Sequence, residues 1–219
     1  MPHRNFYQRR LPHWHPEGQT FFITFSLANS LPARVIQALQ EERERERQII
    51  CTQFSGNQQR QELYNLDKKH FGRFDAWLDR CIAESPLWLE QENIARIVSE
   101  QIHALGGERY RLIAFCIMSN HVHLLVDTAD YHPPVAPLHA GPTALYPLAD
   151  TLKLLKGRTA RYCNQALGRG GAFWHHESYD HVVRDEKEFE RIIWYILNNP
   201  VKAGLIKNWE DWPFTYCAE

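Results

Sequence analysis

Paired cysteines are missing from this chain. Cys51, Cys81, Cys116, Cys163 and Cys217 are odd in number, widely spaced and contain no C-x-x-C pair. That pattern excludes a disulfide framework or a zinc knuckle and leaves reduced, mostly buried thiols as the expectation. Long apolar runs are missing too: none approaches the roughly 20 residues needed to span a bilayer. The start, Met1-Pro2-His3-Arg4-Asn5, lacks the hydrophobic stretch of a signal peptide, so the expected location is the cytoplasm, with no membrane partner. Nor does one sign of charge dominate. Lys and Arg number 25 against 26 Asp and Glu, a formal net charge of -1. A nucleic-acid partner would therefore have to be held by a local basic patch rather than by the average field.

What is present is the composition of a soluble globular chain, 219 residues with 44% hydrophobic and 23% charged. That is enough for one sizeable core, so a single domain over 1–219 is the expectation. Thr20 to Leu27 is β-branched and aromatic with partial alternation, which predicts a strand with one buried face. From Ala33 to about Gln53 the residues are helical in type and carry the solvated run Glu41 to Arg47, while 54–70 reads as a polar loop or a further helix. Ile94, Ile97, Val98, Ile102 and Leu105 recur at helical spacing, with Gly106-Gly107 as the stop.

Tyr110 to Met118 and His121 to Val126 are two strand patterns separated by Ser119-Asn120, the signature of an antiparallel hairpin. Residues 130–147 hold five prolines and no periodicity, an irregular loop. Leu148, Leu152, Leu155, Thr159, Tyr162 and Ala166 form one face of a helix, with Lys153 and Arg161 opposite and Lys156 and Arg158 on the flanks. A last helix runs from Asp185 to Asn198, acidic in its first turn, with Phe189, Ile192, Ile193 and Ile196 as its apolar stripe and Pro200 as its stop. Three strands with helices packed on them make an α+β sandwich.

Three sets of residues could carry chemistry. His121 and His123 lie two apart on a strand, so both imidazoles share a face and can share a metal ion. The spacing alone is weak, since His13 and His15 repeat it in an irregular terminal segment, where they read as surface or DNA-contacting residues. Tyr195 and Asn199 lie four apart at the edge of the last helix's stripe. From that edge Tyr195 can pack half-buried with its hydroxyl in water or face a cleft, and Asn199 can cap the helix, line the cleft, or do both. Lys153, Lys156, Arg158 and Arg161 suit phosphates, with Trp174 or Phe173 to stack an unpaired base. They suit equally a solvated basic face over two core aromatics.

Several segments occur together: Ser119-Asn120-His121-Val122-His123-Leu124-Leu125-Val126, Lys156-Gly157-Arg158-Thr159-Ala160-Arg161-Tyr162, Phe173-Trp174, Tyr179-Asp180-His181, and Tyr195-Ile196-Leu197-Asn198-Asn199-Pro200-Val201-Lys202-Ala203-Gly204-Leu205. In this combination the chain resembles the REP-associated tyrosine transposases, a branch of the single-tyrosine HUH transposases (histidine, hydrophobic residue, histidine). The similarity runs from Leu11-Pro12-His13-Trp14 to Trp212-Pro213-Phe214, with about 33–70 as a charged helical insertion.

The resemblance implies a ferredoxin-like antiparallel sheet with helices packed on it. His121 and His123 would hold a divalent ion, magnesium or manganese, Asn199 would be a third ligand, and Tyr195 the nucleophile. Asp180 and His181 would help order the site. The implied activity is nicking and joining of single-stranded or hairpin DNA, including repeated palindromes, through a 5′-phosphotyrosine. A DNA-hairpin-binding protein without catalysis is the alternative, and a phosphodiesterase using water as nucleophile is a third. Oligomeric state stays open between monomer and dimer.

Overall fold

The computed structural model describes residues 6–8, 12–14, 18–129 and 147–218. His15 and residues 130–146 of the proline-rich loop expected over 130–147 lie outside the described residues, and Pro147 begins a helix. Two compact units emerge: Met1–Leu27 with Leu87–Glu219, and Ala28–Pro86 between them in sequence.

In the first unit, β1 (Phe6–Gln8) and β2 (Pro12–Trp14) form a small antiparallel pair. The main sheet has five strands: β3 (Thr20–Ser26), β4 (Arg111–Ile117), β5 (His121–Asp127), β6 (Tyr179–Val182) and β7 (Thr215–Cys217). Their order is β6-β3-β5-β4-β7, all neighbours antiparallel. The helices of this unit are α3 (Glu92–Leu105), α4 (Pro147–Ala166), α5 (Glu186–Leu197) and the short α6 (Asn199–Lys202). The sequence β3-α3-β4-β5-α4-β6 with strand order 6-3-5-4 is the β-α-β-β-α-β arrangement of a ferredoxin-like fold, to which β7 adds an edge strand. The fold class is α+β.

Strand periodicity assigns the two faces of the sheet. Phe21, Ile23 and Phe25 of β3, Phe115 and Ile117 of β4, and Val122, Leu124 and Val126 of β5 join one core with Ile94, Val98 and Ile102 of α3 and Leu148, Leu152 and Leu155 of α4. The alternate residues, Phe22 and Thr24, Ala114 and Cys116, His121 and His123, therefore face the other side, where α5 packs on β4, β5 and β7. Both faces of β5 are covered, which explains why its apolar residues run nearly without alternation.

The second unit contains α1 (Ala33–Gln53) and α2 (Gly56–Arg80), packed on each other. Residues 56–80 thus form one long helix rather than the polar loop that 54–70 also allowed. The charged run of α1 is partly spent on this pairing: Arg43 donates to Asp67 at 2.7 Å, and Glu46 receives Lys69 at 3.1 Å and Arg73 at 2.9 Å. Burial beside Arg43 and Arg73 pushes the His70 imidazole down to about 4, so it is neutral at physiological pH.

Two further expectations change. Tyr162, expected on the apolar stripe of α4, is 44% exposed, because the stripe passes through Leu155 and Thr159 to the fully buried Cys163. Beyond the three strands expected, Tyr179 and Tyr216 lie on two more, β6 and β7, which are too short to show alternation. Among the described residues no helix is long and apolar enough to cross a membrane.

Candidate metal and tyrosine site

Thr24 of β3 lies directly opposite His123 of β5. Its hydroxyl oxygen is 2.8 Å from His123 Nδ1. His121 Nδ1 stands 2.7 Å from the side-chain oxygen of Asn120. An amide oxygen only accepts, so in this contact His121 carries its proton on Nδ1 and has its lone pair on Nε2. The Thr24 hydroxyl can accept from His123 Nδ1–H, and in that tautomer the second imidazole also has its lone pair on Nε2. The two Nε2 atoms then face each other at 3.1 Å, with both rings buried.

Two lone pairs held that close repel unless a positive charge lies between them. Asn199 is the third member: its amide nitrogen stands 3.0 Å from His123 Nε2, while its buried Oδ1 has no hydrogen-bond partner among the described residues. Turning the amide about its Cγ bond exchanges the two atoms and offers the oxygen where the nitrogen stands. Neighbouring donors on a six-coordinate ion with bonds of about 2.1 Å lie about 3.0 Å apart, the spacing these atoms have. Two neutral imidazoles and an amide oxygen fit a small divalent cation. They would leave positions open on it.

Tyr195 reaches this group from α5. Asp185 starts the helix by accepting from Glu188 N–H at 2.8 Å, and Glu188 accepts from the Arg184 N–H in return, a reciprocal capping arrangement. The Tyr195 ring is half-buried, edge-on to His123 at 5.3 Å between centroids and edge-on to Phe22 at 5.9 Å. After Leu197 the chain turns at Asn198 and re-enters helix at Asn199, one turn beyond Tyr195 on the same side. His121, His123, Tyr195 and Asn199, far apart in sequence, therefore meet on one face of the sheet.

The residues expected to bind DNA divide. Lys153, Arg158 and Arg161 are exposed on α4. Lys156 is instead tied to the chain that follows Trp174, its ammonium donating to the carbonyls of His175 at 2.7 Å and His176 at 3.3 Å and to the Ser178 hydroxyl at 3.0 Å. Trp174 is buried in the core, edge-on to Phe25 and Phe173, with its indole N–H donating to Thr159 at 2.8 Å. It has no free face for a base. Phe173 is likewise buried. His181 lies 3.3 Å from the buried Glu188 carboxylate and thereby ties β6 to the first turn of α5.

Sequence reasoning missed Thr24 and fixed no role for Asn120. A threonine in the run Phe21-Phe22-Ile23-Thr24-Phe25 was the available signal, because a buried hydroxyl needs a partner. Thr24→Val, which keeps the shape and removes the oxygen, should weaken manganese binding about ten- to a hundredfold by calorimetry. Unchanged affinity would remove Thr24 from the site.

No family model matches the chain. Over 106 residues, 48% of its length, it is 28% identical to a Haemophilus influenzae protein named "Putative REP-associated tyrosine transposase", covering 58% of that protein. Over 42 residues, 19% of its length, it is 38% identical to an Escherichia coli REP-associated tyrosine transposase, covering 26% of it. The chain resembles REP-associated tyrosine transposases. It matches little more than half the length of the first relative and about a quarter of the second. A solved structure of a REP-associated tyrosine transposase bound to a REP hairpin shares the fold, with a TM-score of 0.50 at 17% identity over 95% of this chain and 80% of that one.

Proposed function

We propose that this protein cuts and rejoins single-stranded DNA at hairpin or palindromic repeats through a covalent bond to Tyr195. The observation that carries the reading is the convergence of His121 Nε2, His123 Nε2 and the Asn199 amide beside the Tyr195 ring. Similarity to REP-associated tyrosine transposases supports it.

A phenol with its usual pKa near 10 is a weak nucleophile at neutral pH and needs an electrophilic partner at phosphorus. A magnesium or manganese ion held by His121, His123 and Asn199 would polarise the scissile phosphate and stabilise charge in the transition state. The chain's own residues do the rest. Thr24 and Asn120 fix the imidazoles, Asn199 turns its oxygen toward them, and α5 holds the phenol beside them. The Tyr195 oxygen bonds to phosphorus as the bond from phosphorus to the 3′-oxygen breaks. The phenolic proton goes to solvent and the leaving oxygen gains one, giving a 5′-phosphotyrosine and a free 3′-OH. The phosphodiester is conserved in number, so another 3′-OH can reverse the step without ATP.

Lys153, Arg158 and Arg161 are the proposed phosphate contacts on α4. Arg158→Ala and Arg161→Ala should each reduce the salt dependence of hairpin binding by about one counterion. Lys156→Ala should instead lower the melting temperature, since it releases the carbonyls of 175–176, with the salt slope retained.

The reading is tested by substrate form. A hairpin with a single-stranded flank should give a protein–DNA adduct on a denaturing gel in the presence of magnesium or manganese, and a perfect duplex of the same sequence should give none. Equal cleavage of both would contradict it.

A further inference from the structure

Trp194, next to the nucleophile in sequence, is 61% exposed. An indole is among the costliest side chains to leave in water, and α5 otherwise buries its apolar side. At 100° per residue, Tyr195 marks a boundary on this helix. Ile192, Phe189, Ile196 and Ile193 lie to one side of it. Trp194, Lys187, Asn198 and Arg191 lie to the other, within about 100° of Tyr195 on the helical wheel. Lys202, on α6, extends this side, its ammonium 5.8 Å from the centre of the Tyr195 ring. Lys187 and Lys202 are exposed and the Arg191 side chain is 67% exposed. Of the exposed carboxylates of α5, Glu190 flanks Trp194 on the side away from Tyr195, about 40° beyond it, and Glu186 lies about 80° beyond it, so the cations hold the side of the indole that faces the nucleophile. Glu188, near the boundary, is buried, with one carboxylate oxygen 3.3 Å from His181 and the other 3.8 Å from the exposed Arg191 guanidinium, a long contact that leaves the guanidinium open to solvent. The backbone under the indole is pinned, because the Asn198 side chain donates to the Trp194 carbonyl at 2.9 Å and the Asn198 backbone N–H donates to it at 3.0 Å.

We propose that this outer flank of α5 and α6 is a seat for the single strand beside the cleavage point, with Trp194 stacking on an unpaired base and Arg191 and Lys202 receiving the adjoining phosphates. A flat π surface between cations is what an unpaired nucleotide needs, and it suits any base because every base has a π face. Charge complementarity selects the occupant: a strand of nucleic acid carries the negative charges these side chains match, and an apolar protein helix does not. Trp194 thus takes the role that the buried Trp174 cannot. This inference deepens the reading of Tyr195 as nucleophile and rests on it for the identity of the strand.

The test uses the full chain and a short fluorescein-labelled oligothymidylate, which has no hairpin, and reads affinity by anisotropy. Trp194→Ala should weaken binding about tenfold or more, and Trp194→Leu should do the same because leucine is apolar without a π face. Trp194→Phe should restore most of the affinity. Affinity within about twofold of wild type in Trp194→Ala, or full restoration by leucine, would overturn the proposal. The hairpin adduct assay on wild type is run beside it. A wild-type protein that forms no adduct yet shows the tryptophan dependence would sink the strand-transfer reading and support the seat. An adduct with no tryptophan dependence would do the reverse.

Discussion

Tyr195→Phe should abolish covalent attachment to DNA, by at least about a thousandfold in rate, the scale on which loss of a nucleophile acts. The substitution removes one oxygen and keeps the ring, so the edge contacts with His123 and Phe22 survive. Melting temperature and hairpin affinity should stay near those of wild type. Tyr162, Tyr179 and Tyr216 sharpen the result. Tyr162 is exposed on α4, Tyr179 packs against His181 and Phe22 on β6, and Tyr216 stacks with Phe115 on the opposite face from the histidines. No comparable contact joins any of these three to His123 among those described, whereas Tyr195 meets it edge-on. An adduct of normal yield in Tyr195→Phe would place the chemistry on another residue.

His121→Ala and His123→Ala should each lower strand cleavage at least about a hundredfold and remove measurable manganese binding, while hairpin affinity changes by less than about threefold. The separation follows from placement: the imidazoles are buried and held by Asn120 and Thr24, whereas the cations suited to phosphates are exposed on α4. His123→Ala should be the more damaging to fold, because it leaves the Thr24 hydroxyl and the Asn199 amide without their shared partner. Asn199→Ala should be milder. It removes one neutral donor that water can replace, so metal affinity falls and cleavage persists at raised manganese. Full cleavage in either histidine variant, in magnesium and in manganese, would remove the metal from the mechanism.

Much of this arrangement was legible in the chain because it rests on short-range periodicity. The hairpin of β4 and β5 follows from two apolar runs around Ser119-Asn120, and the shared face of His121 and His123 follows from the two-residue repeat of a strand. The bounds of α1, α3, α4 and α5 lie within a residue or two of those expected, since each has a long periodic stripe or a clear stop. Long-range pairing was not legible. Nothing local says that Thr24 comes to rest opposite His123, 99 positions away, because register is fixed by the whole sheet. The short β6 and β7 were missed for want of length, and α2 was underestimated because its polar first half hides its continuity with Phe71, Phe74, Trp77 and Leu78 in its second. Tyr162 lost its expected burial, and Trp174 took the core position left open for it, for a related reason. Which aromatic a core swallows depends on the elements that close over it, here β3 and α4 around Trp174.

The central claim is that one tyrosine, set beside a histidine-held cation, takes DNA onto itself, and peptide mapping of the wild-type protein tests it most directly. After reaction with a flanked hairpin in manganese and digestion of both polymers, mass spectrometry should find a nucleotide phosphate on the peptide containing Tyr195, and none when the metal is chelated. A nucleotide on a different side chain, equal labelling in chelator, or efficient cleavage with no nucleotide-bearing peptide would contradict the account.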